Sequence, residues 1–199
     1  MGKRFFDLAV SVTGLLALLP FLLLISLAIK LDSPGPVFFR QERIGRGGVP
    51  FRIHKLRSMH IDTGASSRRR QITVENDERI TRVGRLIRKW KLDELVQLLD
   101  VVRGAMSLVG PRPEVAHYVA LYPDATRDAI LSVRPGITDP ASIRFRNESV
   151  LLAQSDNPER TYREVILPEK LSLQMDYVAN RSFTGDLKII AATVLAILK

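Results

Sequence analysis

RITRVGRLIRKWKLDELVQLLDVVRGAMSLVGPRP, residues 79–113, is a basic and apolar run with two adjacent acids, Asp93 and Glu94, at its centre. Arg79, Arg82, Arg85, Arg88, Lys89 and Lys91 precede the acids; Arg103 and then Arg112, between Pro111 and Pro113, follow them. Apolar residues recur at Ile80, Val83, Ile87, Trp90, Leu95, Leu98, Leu99 and Val102. That spacing predicts a helix with one face turned to a core, with Asp77 capping its start and Gly104 ending it. Adjacent acids on a helix point about 100° apart, so they can serve different roles. A carboxylate among cations is expected to stay ionised, fit to act as a nucleophile or a metal ligand. Arginines grip phosphate oxygens through paired hydrogen bonds. On spacing alone the competing reading is a solvated helix face with Lys89 and Asp93 as an i,i+4 pair.

The chain has 199 residues, enough for one domain with an appendage. A formal charge of +9 calls for an anionic partner: nucleic acid, an anionic leaflet or a phosphorylated substrate. With no cysteine, disulfides, zinc–thiolate sites and a cysteine nucleophile are excluded. No helix-turn-helix, zinc or RNP-type signature is present, so a nucleic-acid partner is not expected.

From Leu8 to Ile29 no residue is charged. As a helix this run would measure about 33 Å, enough to cross a bilayer. Two features argue against a simple span. Pro20 removes a helix hydrogen bond near the middle. Both flanks are basic, with Lys3 and Arg4 before and Lys30, Arg40, Arg43 and Arg46 after, and positive charge prefers the cytoplasmic side. A re-entrant hairpin bent at Pro20 satisfies both; a span and a buried core helix are the other readings. Ser11, Thr13 and Ser26 can bond carbonyls near the bend.

Ser33–Pro36 is a break, after which Val37–Arg40 and Phe51–Leu56 read as short strands joined by an IGRGG turn. Gly45, Gly47 and Gly48 match no P-loop, which favours a plain turn over a phosphate cradle. As strand residues, Lys55 and Arg57 would share a face. Ile61–Asp77, with Arg68, Arg69 and Arg70, reads as a mobile loop, its charge solvated or set against anionic headgroups. SLVGPRP reads as a turn holding Arg112, and Pro135-Gly136 and Asp139-Pro140 read as further turns. Glu114–Leu121, Ala125–Val133 and the stretch from Pro168 to Asn180 read as helices, with Arg134, Arg144 and Arg146 as added phosphate-binding candidates. The apolar run near the C-terminus is too short to span, and would lie in the interface or pack on the first segment.

Taken together, PVFFRQERIGRGG, FRIHKLRSM, the LDEL…MSLVGPRP block, VRPGITDPASI and MDYVANRSFTGDLKII resemble the bacterial sugar transferase family. Its members are monotopic phosphoglycosyl transferases that begin surface-glycan assembly, and the resemblance covers nearly the whole chain. It implies an α+β protein: a re-entrant membrane helix hairpin at 1–32, then a small, mostly helical catalytic domain at 33–199 with a short β-hairpin and an interfacial C-terminal helix. It implies transfer of a sugar-1-phosphate from a UDP-sugar to polyprenyl phosphate at the cytoplasmic face of the bacterial inner membrane. Asp93 would be the nucleophile, and Glu94 beside it the Mg²⁺ partner, with Asp93 also at the metal. Arg112 would clamp a phosphate; Lys55, Arg57, Arg88 and Arg146 would add phosphate or nucleotide contacts. The remaining amphipathic and Arg-rich surfaces leave room for a homodimer. Two departures stand out. Leu19 precedes Pro20 where some members have serine, and Asp139-Pro140 replaces a Gly-Trp pair, which is expected to reshape the donor pocket. A non-catalytic, lipid-binding membrane scaffold is the alternative reading; it leaves the acid pair among arginines unexplained.

Overall fold

The computed structural model describes residues 2–61, 72–74 and 77–198; the Arg68–Arg70 triplet lies outside them. The first element, α1 (Gly2–Asp32), is a helix of 31 residues, long and apolar enough to cross a membrane. Leu16, Leu19, Leu23, Leu24 and Leu27 are exposed on it, an apolar surface that water alone would leave unsatisfied. Helix α1 continues through Pro20, so the two arms expected around that residue are not separated by a break. One missing N–H bends a helix without necessarily ending it. Ser26 donates to the Leu22 carbonyl at 2.6 Å, as its position suggested, whereas Ser11 Oγ is buried without a partner.

Both ends of α1 are fastened to the rest of the chain. At its start Lys3 pairs with Asp186 at 2.6 Å, Arg4 donates to the Val101 carbonyl at 2.8 Å, and Ser107 donates to Asp7 at 2.7 Å. At its end the Val83 amide donates to Asp32 at 2.9 Å, and Leu22, Ile25 and Ile29 pack with Leu56, Ile87 and Val96.

The expected hairpin is present as β1 (Phe38–Ile44) and β2 (Pro50–Leu56), antiparallel with Phe38 opposite Leu56 and Ile44 opposite Pro50. Its glycines serve the turn: Gly47 and Gly48 sit at φ of 68° and 77°, open to glycine at little cost.

The long central helix does not form as one piece. It divides into α2 (Arg82–Lys89), a 3₁₀ turn (Leu92–Gln97) and α3 (Leu98–Val102). Lys91, at φ 54°, is the break. The reason is one of phase. Ile87 and Val96 belong to the same cluster beneath α1, yet nine residues of uninterrupted helix would set them about 180° apart. A left-handed residue between them resets the rotation. The cap is also displaced: Thr81 Oγ1 accepts from the Gly84 amide at 2.9 Å, while Asp77 binds the Arg79 side chain. Gly104 does end the segment, at φ 86°.

SLVGPRP and PGITDP, read as turns, contain two short strands, β3 (Ser107–Val109) and β4 (Gly136–Thr138), paired in parallel. Three residues carry too little periodicity to betray a strand. Around them lie α4 (Ala116–Val119), α5 (Asp124–Leu131), α6 (Pro140–Arg144), α7 (Glu148–Ala153), α8 (Pro158–Thr161), a π-helical turn (Tyr162–Ile166), α9 (Leu167–Asn180) and α10 (Phe183–Leu198). Tyr118, Tyr122, Ile130, Tyr162 and Leu167 centre the helical core. The C-terminal run does pack on the first segment, with Phe183 edge-on to Phe6 at 5.2 Å, and leaves Leu187, Val194, Leu195 and Leu198 exposed.

The β3–β4 pair depends on two glycines meeting back to back. A Cβ on Gly136 would lie 2.1 Å from the Gly110 nitrogen. Gly136→Ala is therefore expected to destabilise the protein by at least about 2 kcal/mol, since backbone cannot yield as a side chain would. Gly2→Ala, with open space around it, is expected to leave Tm unchanged; a thermal melt in detergent compares them.

Candidate active site

The 3₁₀ turn after Lys91 directs the two acids differently. Asp93 is 5 % exposed, and its Oδ1 is buried without a hydrogen bond. Glu94 is held by two cations from distant segments. Lys55 of β2 donates to its Oε1 at 3.0 Å, and Arg112 of the β3–α4 loop donates to the same oxygen. Arg112 also donates to the Ile137 carbonyl of β4 at 3.2 Å.

These surroundings set the charges. Burial pushes the Asp93 carboxyl above its ordinary range, and the neighbouring Glu94 charge adds to the push; Lys55, Arg88 and Lys91 pull the other way and do not prevail. Desolvation thus outweighs the nearby cations that the sequence brought to the fore. Burial would also raise Glu94, but Arg112 and Lys55 hold it well below the usual carboxylate range. Burial lowers the Lys55 ammonium, and Glu94 offsets only part of that. The two acids are thus split, Glu94 lowered and Asp93 raised from their ordinary values.

Of the other predicted residues, Arg88 lies in the last turn of α2 and contributes its charge to Asp93. Arg57 is engaged elsewhere. Strand β2 ends at Leu56, and the buried Arg57 guanidinium donates to the carbonyls of Pro34, Ser33 and Ile29, tying down the end of α1. Arg146 donates to the Ile197 carbonyl near the end of α10 at 3.2 Å, where a cation meets the negative end of a helix. Neither guanidinium joins Glu94.

Sequence reasoning missed two supports and one buried amide. Glu114 accepts from Arg43 at 3.1 Å and from Tyr162 at 2.6 Å, fixing the residue after the Pro-Arg-Pro loop. Asp139 accepts from the Arg112 amide at 3.0 Å and caps α6 through Ser142 at 2.6 Å; an aspartate followed by proline at the first helical position was the available signal. Gln97 is fully buried, with both amide atoms unpaired. The large groove of 720 Å³, lined in part by Leu121, Arg160, Arg163 and Met175, contains none of the predicted site residues.

Among the described residues no group of three or more His, Cys, Asp and Glu side chains gathers to cage a metal. The arrangement does suit Mg²⁺, which takes one or two carboxylates together with substrate phosphates. The unbonded Asp93 oxygen fits such an ion.

A buried carboxylate thus stands beside a second one clamped by lysine and arginine, on a turn packed against a long apolar helix. The chain belongs to the bacterial sugar transferase family, whose model matches residues 1–199. It is 41 % identical, over 100 % of its length and 70 % of the relative's, to the UDP-glucose:undecaprenyl-phosphate glucose-1-phosphate transferase of Caulobacter vibrioides. It is 39 % identical to the exopolysaccharide production protein PSS of Rhizobium leguminosarum, covering 98 % of this chain and 94 % of that one. The Escherichia coli UDP-glucose:undecaprenyl-phosphate glucose-1-phosphate transferase is 35 % identical over 96 % of this chain and 39 % of its own.

Asp93→Asn is expected to raise Tm at neutral pH. A raised native pKa means that ionised Asp93 destabilises the fold above that pKa, and that the penalty vanishes once the group is protonated in both states. The gain should therefore shrink as pH falls through the carboxylate range, which melts across a pH series measure.

Proposed function

We propose that this protein transfers a sugar-1-phosphate from a UDP-sugar to polyprenyl phosphate, releasing UMP, through a covalent intermediate on Asp93. The carrying observation is the buried Asp93 with an oxygen free of hydrogen bonds, next to Glu94 held by Lys55 and Arg112. A desolvated carboxylate is more basic and a better nucleophile than a hydrated one.

An Asp93 oxygen attacks the sugar-linked phosphorus, and the bond to the UMP oxygen breaks. UMP leaves with that electron pair, and the phospho-sugar becomes an acyl phosphate on Asp93. A phosphate oxygen of the polyprenyl acceptor then attacks the same phosphorus. The Asp93–phosphorus bond breaks, the carboxylate returns and a polyprenyl diphosphate sugar departs. Lys55 and Arg112 supply positive charge for the non-bridging oxygens, and Arg88 adds to the field that lets two anions approach. Asp93 and Glu94 would hold Mg²⁺, which supplies charge neutralisation to the diphosphate when bound. Relatives named for glucose transfer make UDP-glucose the first donor to test.

Helix α1 enters and leaves one leaflet, bending at Pro20, with the catalytic domain on the cytoplasmic face. Support comes from its docking: Lys3 and Asp32, at opposite ends, are both bonded to the same domain.

Incubation with labelled UDP-glucose alone, followed by trypsin, should place the label on Asp93 within the peptide Leu92–Arg103; label absent from Asp93 defeats the mechanism. Asp93→Asn is expected to lower kcat by about 10⁴ or more, and Arg112→Ala to lower kcat/KM by about 10²–10³, both read as UMP release with undecaprenyl phosphate and Mg²⁺. For topology, the cysteine-free chain allows Gly2→Cys and Leu31→Cys as single reporters, both positions being exposed. Both should react with an impermeant maleimide in inverted vesicles and not in intact cells; labelling from opposite sides excludes the re-entrant helix.

A further inference from the structure

Pro111-Arg112-Pro113 contains a single backbone N–H, that of Arg112, because proline has none. It is bound by a side chain: Asp139 Oδ2 accepts it at 3.0 Å. The same oxygen accepts from Gln174 Nε2 at 2.8 Å, and the other, Oδ1, accepts from the Ser142 amide at 2.6 Å. Two residues earlier, the Ile137 carbonyl accepts from the Arg112 guanidinium at 3.2 Å. The short run from Ile137 to Asp139 thus holds Arg112 at both ends, by its backbone and by its charged tip, while the tip also reaches Glu94.

Asp139 is 0 % exposed, and the three donors it accepts from, Arg112 N, Ser142 N and Gln174 Nε2, are neutral N–H groups. Burying a carboxylate is costly. Capping α6 does not require that charge, since serine or asparagine caps as well as aspartate. The second oxygen is the part that capping leaves over, and it faces the Arg112 amide and Gln174. Flanking prolines restrict Arg112 to extended backbone, so anchoring its amide fixes the direction from which its side chain leaves the loop.

We propose that Asp139 is a positioning residue for Arg112, its carboxylate setting the loop so that the guanidinium is presented at the site of phosphate transfer. This rests on the reading of Arg112 as a phosphate clamp. Asp139 touches no reacting atom in this scheme.

The test uses the full chain in detergent with UDP-glucose, undecaprenyl phosphate and Mg²⁺. Asp139→Ser keeps an oxygen for the Ser142 amide and removes the second one. It is expected to lower kcat by about 10–100-fold, the scale of a misplacement near 1 Å, with Tm nearly unchanged. Combined with Arg112→Ala, it should cost little beyond Arg112→Ala alone, because the two act through one group. Losses that multiply, or an Asp139→Ser enzyme with wild-type kcat and KM, overturn the proposal. Should the serine variant not fold, Asp139→Asn keeps the shape and one acceptor, and the same failure to multiply is expected of it; multiplication there overturns the proposal equally. Wild-type protein that releases no UMP overturns the proposed function, and this inference falls with it.

Discussion

Glu94 holds together three parts of the chain that the sequence keeps far apart. Its carboxylate receives Lys55 from the hairpin and Arg112 from the loop between β3 and α4, and it stands on the turn that carries Asp93. Ion pairs this deep are poor stabilisers, because removing each charge from water costs several kcal/mol. Glu94 takes two cations for itself, while Asp93 beside it is left to burial and to the charges around it.

The same segment ties Asp93 to the long apolar helix. Val96, three residues after Asp93, packs with Leu22, Ile25 and Ile29 of α1, and Gly14 of α1 approaches Leu98. The acid-bearing turn is therefore built directly on the apolar helix. Its Lys91 break lets Ile87 and Val96 share that contact, and the short turn that follows separates the two acids. A residue with positive φ and a side chain is a local cost, offset by the apolar surface that both flanking segments bury against α1.

Much of this was legible in the sequence, for identifiable reasons. The apolar run of α1 and the hairpin announced themselves because each has a strong local pattern, and the acid pair stood out against its basic surroundings. The helix break did not, since nothing within residues 79–102 shows that Ile87 and Val96 must meet the same neighbour. β3 and β4 were missed because three-residue parallel strands draw their identity from each other, not from period. Arg57 and Arg146 mislead for a different reason. An arginine suits a carbonyl at a helix end as well as it suits a phosphate, and only the fold reveals which it has found.

Asp93 illustrates how burial and charge divide the work between adjacent acids. Cations nearby would keep any hydrated carboxylate ionised, and the sequence shows only that the two acids can point different ways. The 3₁₀ turn places Glu94 within reach of Lys55 and Arg112 and leaves Asp93 with burial as its dominant influence. Because Glu94 remains ionised, its charge adds to the push of burial on Asp93, while Lys55, Arg88 and Lys91 pull the other way. The split between the two acids follows from the turn, which brings Glu94 and not Asp93 into hydrogen-bond reach of Lys55 and of the Pro-Arg-Pro loop.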